Sequence, residues 1–398
     1  MCWIQGQLPN LTSRQAGKSI GPLDFYIAPE VDQFIRHYSY PPKQGMRWSA
    51  ATDHRLYDAR PLSDEELAPF RCDISFVSNQ SKLPRVYHEE RLRLLPDDPD
   101  VHRLTDYLFE AIETEITERP ETAGVRSAAS ILRQAERELG LAPATTDVAD
   151  TIARFYIHPM TELMYRQATL EWVADYCDRG GHTLHLYGNG WEPHPRFSKW
   201  ARGFAENGEQ LRAIHQASAI NLQSTSYGAV HQRLLDGLAA GGFFLIRYCP
   251  TDIIHGPTRR LLDVIEQYGV IPGVTYDAKS IPAPTDAWGA LQKHQGEPWD
   301  DGPVFIYPEE LDRLRSLAAE DYRLMAGAVF KRYHDVCFRS AREFANLADR
   351  YLGDADTRRE IADSMRASVV ERFTHDAFAR DLLAFIAKRL SERDEGRP

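Results

Sequence analysis

Long apolar runs, paired cysteines and a surplus of positive charge are all missing from this chain. The longest hydrophobic stretches, such as Phe243-Phe244-Leu245-Ile246, fall far short of the roughly 20 residues a membrane-spanning helix needs, so no span is expected. Met1 leads into Cys-Trp-Ile-Gln-Gly without a basic segment, which sets the expectation of no secretory signal. Cys2, Cys72, Cys177, Cys249 and Cys337 are odd in number and scattered. That usage suits reduced thiols in the cytoplasm rather than a disulfide framework or a zinc site. A net charge of −11 disfavours binding to nucleic-acid backbone, but an arginine or two at a helix N-terminus still suffice for a small phosphorylated ligand. No Walker or nucleophilic-triad pattern occurs, and no His, Cys, Asp or Glu cluster has metal-ligand spacing. Asp300-Asp301-Gly302 reads as a turn. Neither a metal nor a cofactor is expected.

What the chain does have is size and pattern. Its 398 residues are enough for two domains, and 43% hydrophobic with 26% charged residues marks a globular protein. Trp3-Ile4 and Phe25-Tyr26-Ile27 read as short strands among turns such as Leu8-Pro9-Asn10, and Cys72 to Asn79 as a buried strand running into a polar loop. A domain boundary is placed near residue 70. Residues 99–178 read as mainly helical: Val101, Leu104, Leu108, Ile112 and Ile116 form one stripe, a second helix covers 125–139, and a third covers 161–177. His158-Pro159 reads as a helix break. Beyond it come strand 183–187, helix 211–217, strand 219–222, helix 231–240 and strand 243–246, a spacing that implies a parallel sheet. Residues 249–305 read as surface loops. From Pro308 onward the chain reads as nearly all helix, with a capping box at Thr357 to Glu360 and a last amphipathic helix carrying Phe378, Leu382, Phe385 and Ile386.

The run 220–246 carries the chemistry. A buried strand ends in the polar loop 224–231, which enters a helix whose Gly241-Gly242 end leads into another buried strand. In open α/β sheets ligands sit at the carboxyl ends of strands, where helix N-termini present free N–H groups. Arg233 in the first helical turn suits a bidentate hold on phosphate, and Asp236 one turn on suits ribose hydroxyls. An exposed Arg and Asp on a solvated helix face fits the pattern equally well.

This run resembles the donor-binding segment of GT-B glycosyltransferases, most closely the spore-maturation CgeB-like branch of glycosyl transferase family 1. Asp73 to Asn79 resembles the first strand and loop of that branch's C-terminal domain. Leu186-Tyr187-Gly188-Asn189-Gly190-Trp191 resembles its Gly-x-Gly-Trp turn. Val369 to Thr374 with the last helix resembles the helices that pack back across the interdomain cleft. The resemblance covers about 70–390. It implies an α/β fold of GT-B type: a Rossmann-like C-terminal donor domain at 71–390 with a helical insertion and C-terminal helices, and an incomplete N-terminal Rossmann-like domain at 1–70.

By the same resemblance the activity is transfer of a sugar from a nucleotide-diphosphate donor to an unknown acceptor, without a divalent metal. Gly188, Gly190 and Trp191 would line the base or diphosphate side; Tyr227, Gly228 and Arg233 would approach the diphosphate and sugar; Asp236 would replace the usual ribose-binding glutamate. Read from position alone, Asn79 at the end of the first strand of that domain and His231 at the helix start are further donor-side candidates. Gly228 stands where retaining relatives with a Glu-x7-Glu motif carry their first acid, so retention rests on the resemblance alone. Trp3 to Pro9 resembles a segment well inside the N-terminal domain of relatives, from which the first βα units of the acceptor side are expected to be missing. Two other readings stay open. One is a non-catalytic GT-B-like protein that binds a nucleotide or a partner. The other is a sugar-nucleotide epimerase, for which no acid and base set around a sugar C2 is apparent. Among single residues, Trp191 also fits a packing role and His231 a helix cap.

Overall fold

The computed structural model describes residues 2–4, 11–29, 31–48, 50–79, 82–118, 120, 128–249, 252, 262, 265, 267, 273–276, 304–305, 311 and 325–395. The turns expected at 8–10 and 300–302, the first residues of the helix expected at 125–139, and nearly all of the helix expected at 308–324 lie outside them.

Tyr26, Ile27 and Ala28 are all fully buried, which a short strand achieves only when both of its faces are covered. They form β2 (Tyr26–Ala28), the middle of a parallel three-stranded sheet with β1 (Cys2–Trp3) and β3 (Gly45–Arg47). Sequence patterning missed β3, because Gly45-Met46-Arg47 offers a single apolar residue and no alternation to read. On one face Tyr26 and Ala28 pack with Ile4, Val31, Phe34 and Tyr40. On the other, Ile27, Met46 and Trp48 are covered by Phe378, Leu382, Phe385 and Ile386 of the last helix, His375–Glu395. The amphipathic stripe read in that helix is thus its contact with the small sheet. Leu382 is 6% exposed there, so Leu382→Ala is expected to lower stability by about 2–4 kcal/mol, measured by denaturant unfolding.

A second sheet contains β4 (Cys72–Val77), β5 (Leu184–Tyr187), β6 (Ser218–Gln223) and β7 (Phe244–Arg247). β8 (Thr275–Tyr276) and β9 (Val304–Phe305) pair antiparallel by themselves, and β10 (Cys337–Phe338) joins the edge of the large sheet. Its order is β10-β7-β6-β4-β5, and every pairing is parallel. β10 is a brief interruption of the nearly all-helical course expected beyond Pro308: two residues pairing with β7 leave no periodic signature in sequence. Taken in chain order, the first strand of this sheet, β4, has the second, β5, on one side and the third, β6, on the other. Such a reversal opens a crevice at the carboxyl ends of β4 and β6.

The helical region between β4 and β5 builds its own core from Leu108, Ile112 and Ile116 against Ile131, Leu132 and Met160. The stripe expected at 101–116 falls in one helix, Pro99–Glu118. Pro159 does not break the chain's helical course. Thr146–Ile152 runs through a π-helical turn, Ala153–Ile157, into His158–Gly180. The shifted hydrogen bonding of a π turn accommodates the N–H that proline lacks. The stretch 249–305 departs from expectation in part: Asp252, Leu262 and Ile265 are buried, whereas Gln267 and Gly273 to Thr275 are exposed. The capping residue near 357 is Asp354, whose carboxylate accepts from Thr357 N at 2.9 Å, so the helix begins at Ala355 and Thr357 already lies inside it. No helix among the described residues is long and apolar enough to cross a membrane.

Candidate functional site

The crevice between β4 and β6 is built from two strand ends and one long helix. β4 runs into Ser78 and Asn79, and β6 ends at Gln223 before the 224–231 loop. The N-terminal half of His158–Gly180 passes over them, bringing Glu162 and Arg166, both 15% exposed, to the same place. Arg166 donates from Nη2 to Glu162 Oε1 at 2.8 Å and from Nη1 to Ser78 Oγ at 3.4 Å.

Arg233 approaches from the other side. It sits in the first turn of Gln232–Ala239, partly buried, with Nη1 donating to Gln223 Oε1 at 3.3 Å and its guanidinium 4.8 Å above the Phe76 ring. Burial first, then the Arg166 charge, pushes Arg233 down to about 10, so it stays cationic at neutral pH. Arg233 feels the positive charge of Arg166, and with Glu162 facing both the two guanidinium groups make a locally cationic crevice in a chain of net charge −11.

A third arginine supports the loop from beneath. Arg247, at the carboxyl end of β7, is 2% exposed and lies 3.5 Å from the Tyr165 ring centroid and 4.3 Å from that of Trp172. Its Nη1 donates to Thr169 Oγ1 at 2.8 Å, and Thr169 shares a 2.9 Å hydroxyl contact with Ser224, the first loop residue. Sequence reasoning passed over Glu162, Arg166, Arg247 and Asp252. An acid and a base four apart on a helix read as a solvated pair, and nothing in the pattern says which end of the sheet the helix crosses.

The residues singled out from sequence divide into three groups. Arg233, Tyr227, Gly228 and His231 gather at the crevice. Tyr227 is 60% exposed, and Gly228 has φ +125°, a conformation L side chains rarely adopt. His231 caps the helix, its Nδ1 accepting from Arg233 N at 3.4 Å, and burial pushes its imidazole down to about 4.

Asn79, Gly188, Gly190 and Trp191 form the neighbouring turn. Asn79 is exposed and accepts from Asn189 N at 2.8 Å. The Trp191 ring is 2% exposed among Phe76, His194 and Phe197, with Nε1 donating to Ser78 O at 2.7 Å, so it anchors the turn and has no face left for a base.

Asp236 stands apart. It is 6% exposed, accepts from Gln232 Nε2 at 2.8 Å, and lies against Thr52, which bridges to Thr374. Its carboxylate is enclosed there rather than open to a ribose, because segment 50–52 and the start of the last helix close over it. Periodicity within a helix does not reveal such distant neighbours.

The loop and helix start expected to present free N–H groups have several of them occupied by the protein itself. In the loop Ser226 N donates to Glu162 Oε2 at 2.7 Å and Ala229 N to Asp252 Oδ1 at 2.9 Å, and at the helix start Arg233 N donates to the His231 cap.

Burial also makes stability pH-dependent. His185, His215 and His231 are each pushed down to about 4, mainly by desolvation, while Asp236 and Asp252 are pushed up to about 6 by the same cause. As pH falls from 6.5 to 4, the three imidazoles take up protons on unfolding and lose stability. The two carboxyls are already protonated when folded and oppose that loss. Among these five groups the balance is about one net proton, and His88 and His194, also lowered by burial, add to it, so stability is expected to fall by at least about 1.4 kcal/mol per pH unit over this window. Denaturant unfolding of Asp236→Asn, which removes one opposing carboxyl, should steepen that slope by about 1.4 kcal/mol per pH unit.

A groove of about 560 Å³ opens elsewhere, beside the Arg14–Ser19 helix, and its lining, which includes Leu11, Ser13, Ala16 and Tyr40, carries no charge to hold a phosphate. No family model matches the chain, and no curated protein matches it. Among solved structures, the crystal structure of a glycosyltransferase from Rickettsia africae ESF-5 is similar over 97% of this chain and 68% of that one, at 11% identity and a TM-score of 0.37. A likeness so faint leaves the functional reading to the geometry of the crevice.

Proposed function

We propose that this protein transfers a sugar from a nucleotide-diphosphate donor to an acceptor, with the donor diphosphate held at the carboxyl ends of β4 and β6. The observation that carries the reading is the approach of Arg166 and Arg233 to one point at the strand-order reversal. As the bond from the sugar C1 to the diphosphate oxygen lengthens, negative charge grows on the leaving diphosphate. Two pre-positioned, partly desolvated guanidinium groups stabilise that charge with little reorganisation. Tyr227, Gly228 and the Gly188 to Gly190 turn border the space where nucleotide and sugar would lie. On this reading residues 71–390 form the donor side and 1–70 part of the acceptor side, in a cytoplasmic enzyme of the CgeB-like branch. The sequence motifs at 73–79, 186–191, 220–246 and 369–374 support that placement. Titration of the full chain with UDP, GDP and ADP by calorimetry tests it: binding of at least one, abolished by Arg166→Ala with Arg233→Ala, is expected, and binding of none removes the donor site.

One observation favours a second reading, a nucleotide- or partner-binding protein that transfers nothing: loop and helix-start N–H groups suited to phosphate are already held by Glu162, Asp252 and His231. Nucleotide binding without any release of sugar from UDP-, GDP- or ADP-sugars, across a panel of acceptors, would favour it.

A further inference from the structure

We propose that Glu162 is a resident anion that occupies the diphosphate position and has to be displaced for donor to bind. This rests on the reading of the crevice as a diphosphate site and names how that site is controlled. Glu162 makes the contacts a phosphate oxygen would seek. Oε2 accepts from the loop N–H of Ser226 at 2.7 Å, and Oε1 accepts from Arg166 at 2.8 Å. It also faces Arg233, whose cationic form it favours. Without an anion here, two arginines would share a small, partly desolvated region, Arg166 at 15% exposure and Arg233 partly buried, and the buried Arg247 would also lose the Glu162 charge it feels. Like charges so placed raise the free energy of the empty site, and a carboxylate on a helix that crosses the crevice relieves it.

The arrangement has a directional consequence. A diphosphate carries more charge than one carboxylate and presents several acceptor oxygens to the same donors, so it outcompetes Glu162 only when it reaches both arginines together. A monoanion that engages one arginine gains too little to move the side chain. Glu162 therefore selects for diphosphate over smaller anions, and its departure frees the Ser226 N–H and the Arg166 fork at the moment the donor arrives.

The test is calorimetric titration of the full chain with inorganic pyrophosphate and, separately, orthophosphate, using wild type, Glu162→Gln and Arg233→Ala. Glu162→Gln keeps the size of the side chain and removes its charge. The expected result is pyrophosphate binding at least about tenfold tighter to Glu162→Gln than to wild type, a larger proportional gain for orthophosphate, and loss of both on Arg233→Ala. Wild-type binding that depends on Arg233 but is unchanged or weakened by Glu162→Gln overturns the inference and leaves the diphosphate site standing. Absence of Arg233-dependent binding in every protein overturns both. Should Glu162→Gln not fold, wild-type crystals soaked in pyrophosphate decide. Parting of Glu162 Oε2 from Ser226 N beyond hydrogen-bond reach supports displacement, and a bound pyrophosphate with that contact intact refutes it.

Discussion

Arg233→Ala is expected to weaken binding of nucleoside diphosphate by about 30-fold or more while leaving the fold intact. The guanidinium is partly buried, donates to Gln223 Oε1 at 3.3 Å, lies over the Phe76 ring, faces Glu162 and lies near another arginine. A charge-assisted hydrogen bond to phosphate in such a setting is worth about 1.5–3 kcal/mol, and a bidentate one lies at the upper end. The protein itself loses little. Removing one of two mutually repelling cations offsets the lost contact to Gln223, so unfolding free energy should move by less than about 1 kcal/mol. Paired measurements of affinity and denaturant midpoint separate this outcome from general destabilisation. A variant that loses binding and stability together would assign Arg233 a structural role instead.

Gly188→Ala is expected to be the most damaging single-methyl change at the crevice. Gly188 is buried at φ +126°, and a Cβ built there would lie 2.3 Å from Ser78 O and 2.7 Å from Asn79 N. Both obstacles are backbone atoms of the strand-end loop after β4, so neither swings aside. The same Ser78 O accepts from Trp191 Nε1, and Ser78 Oγ accepts from Arg166. Forcing the loop outward thus disturbs the core contact and the arginine together. Backbone strain and a lost buried hydrogen bond each cost about 1–3 kcal/mol, and a total of about 3 kcal/mol or more is expected in denaturant unfolding. A change below about 1 kcal/mol would mean that the turn is free to move.

Much of the frame was legible because it depends on local pattern. β4, β6 and β7 are short runs buried on both faces, and Gly, Pro or polar residues bound them, so position and parallel class follow from neighbours in sequence. Arg233 was legible for a similar reason: it follows a strand, a polar loop and a helix start at the spacing an anion site uses. What escaped depends on distant segments. Asp236 is enclosed by residues 50–52 and 374–375, nearly 200 residues away on one side and well over 100 on the other. Glu162 and Arg166 belong to the crevice because their helix crosses the end of β4 and β6, and Pro159 hid how far back that helical course extends. Trp191 reads equally well as an aromatic platform or an anchor until the rings of Phe76 and Phe197 are seen around it.

The most direct test of the account is a crystal structure of the full chain soaked with the nucleoside diphosphate that binds best in titration. The account predicts a diphosphate between the ends of β4 and β6 with oxygens in hydrogen-bond contact with both Arg166 and Arg233. Density for the nucleotide at any other surface, or in this crevice with its phosphates turned away from those two arginines, would contradict it.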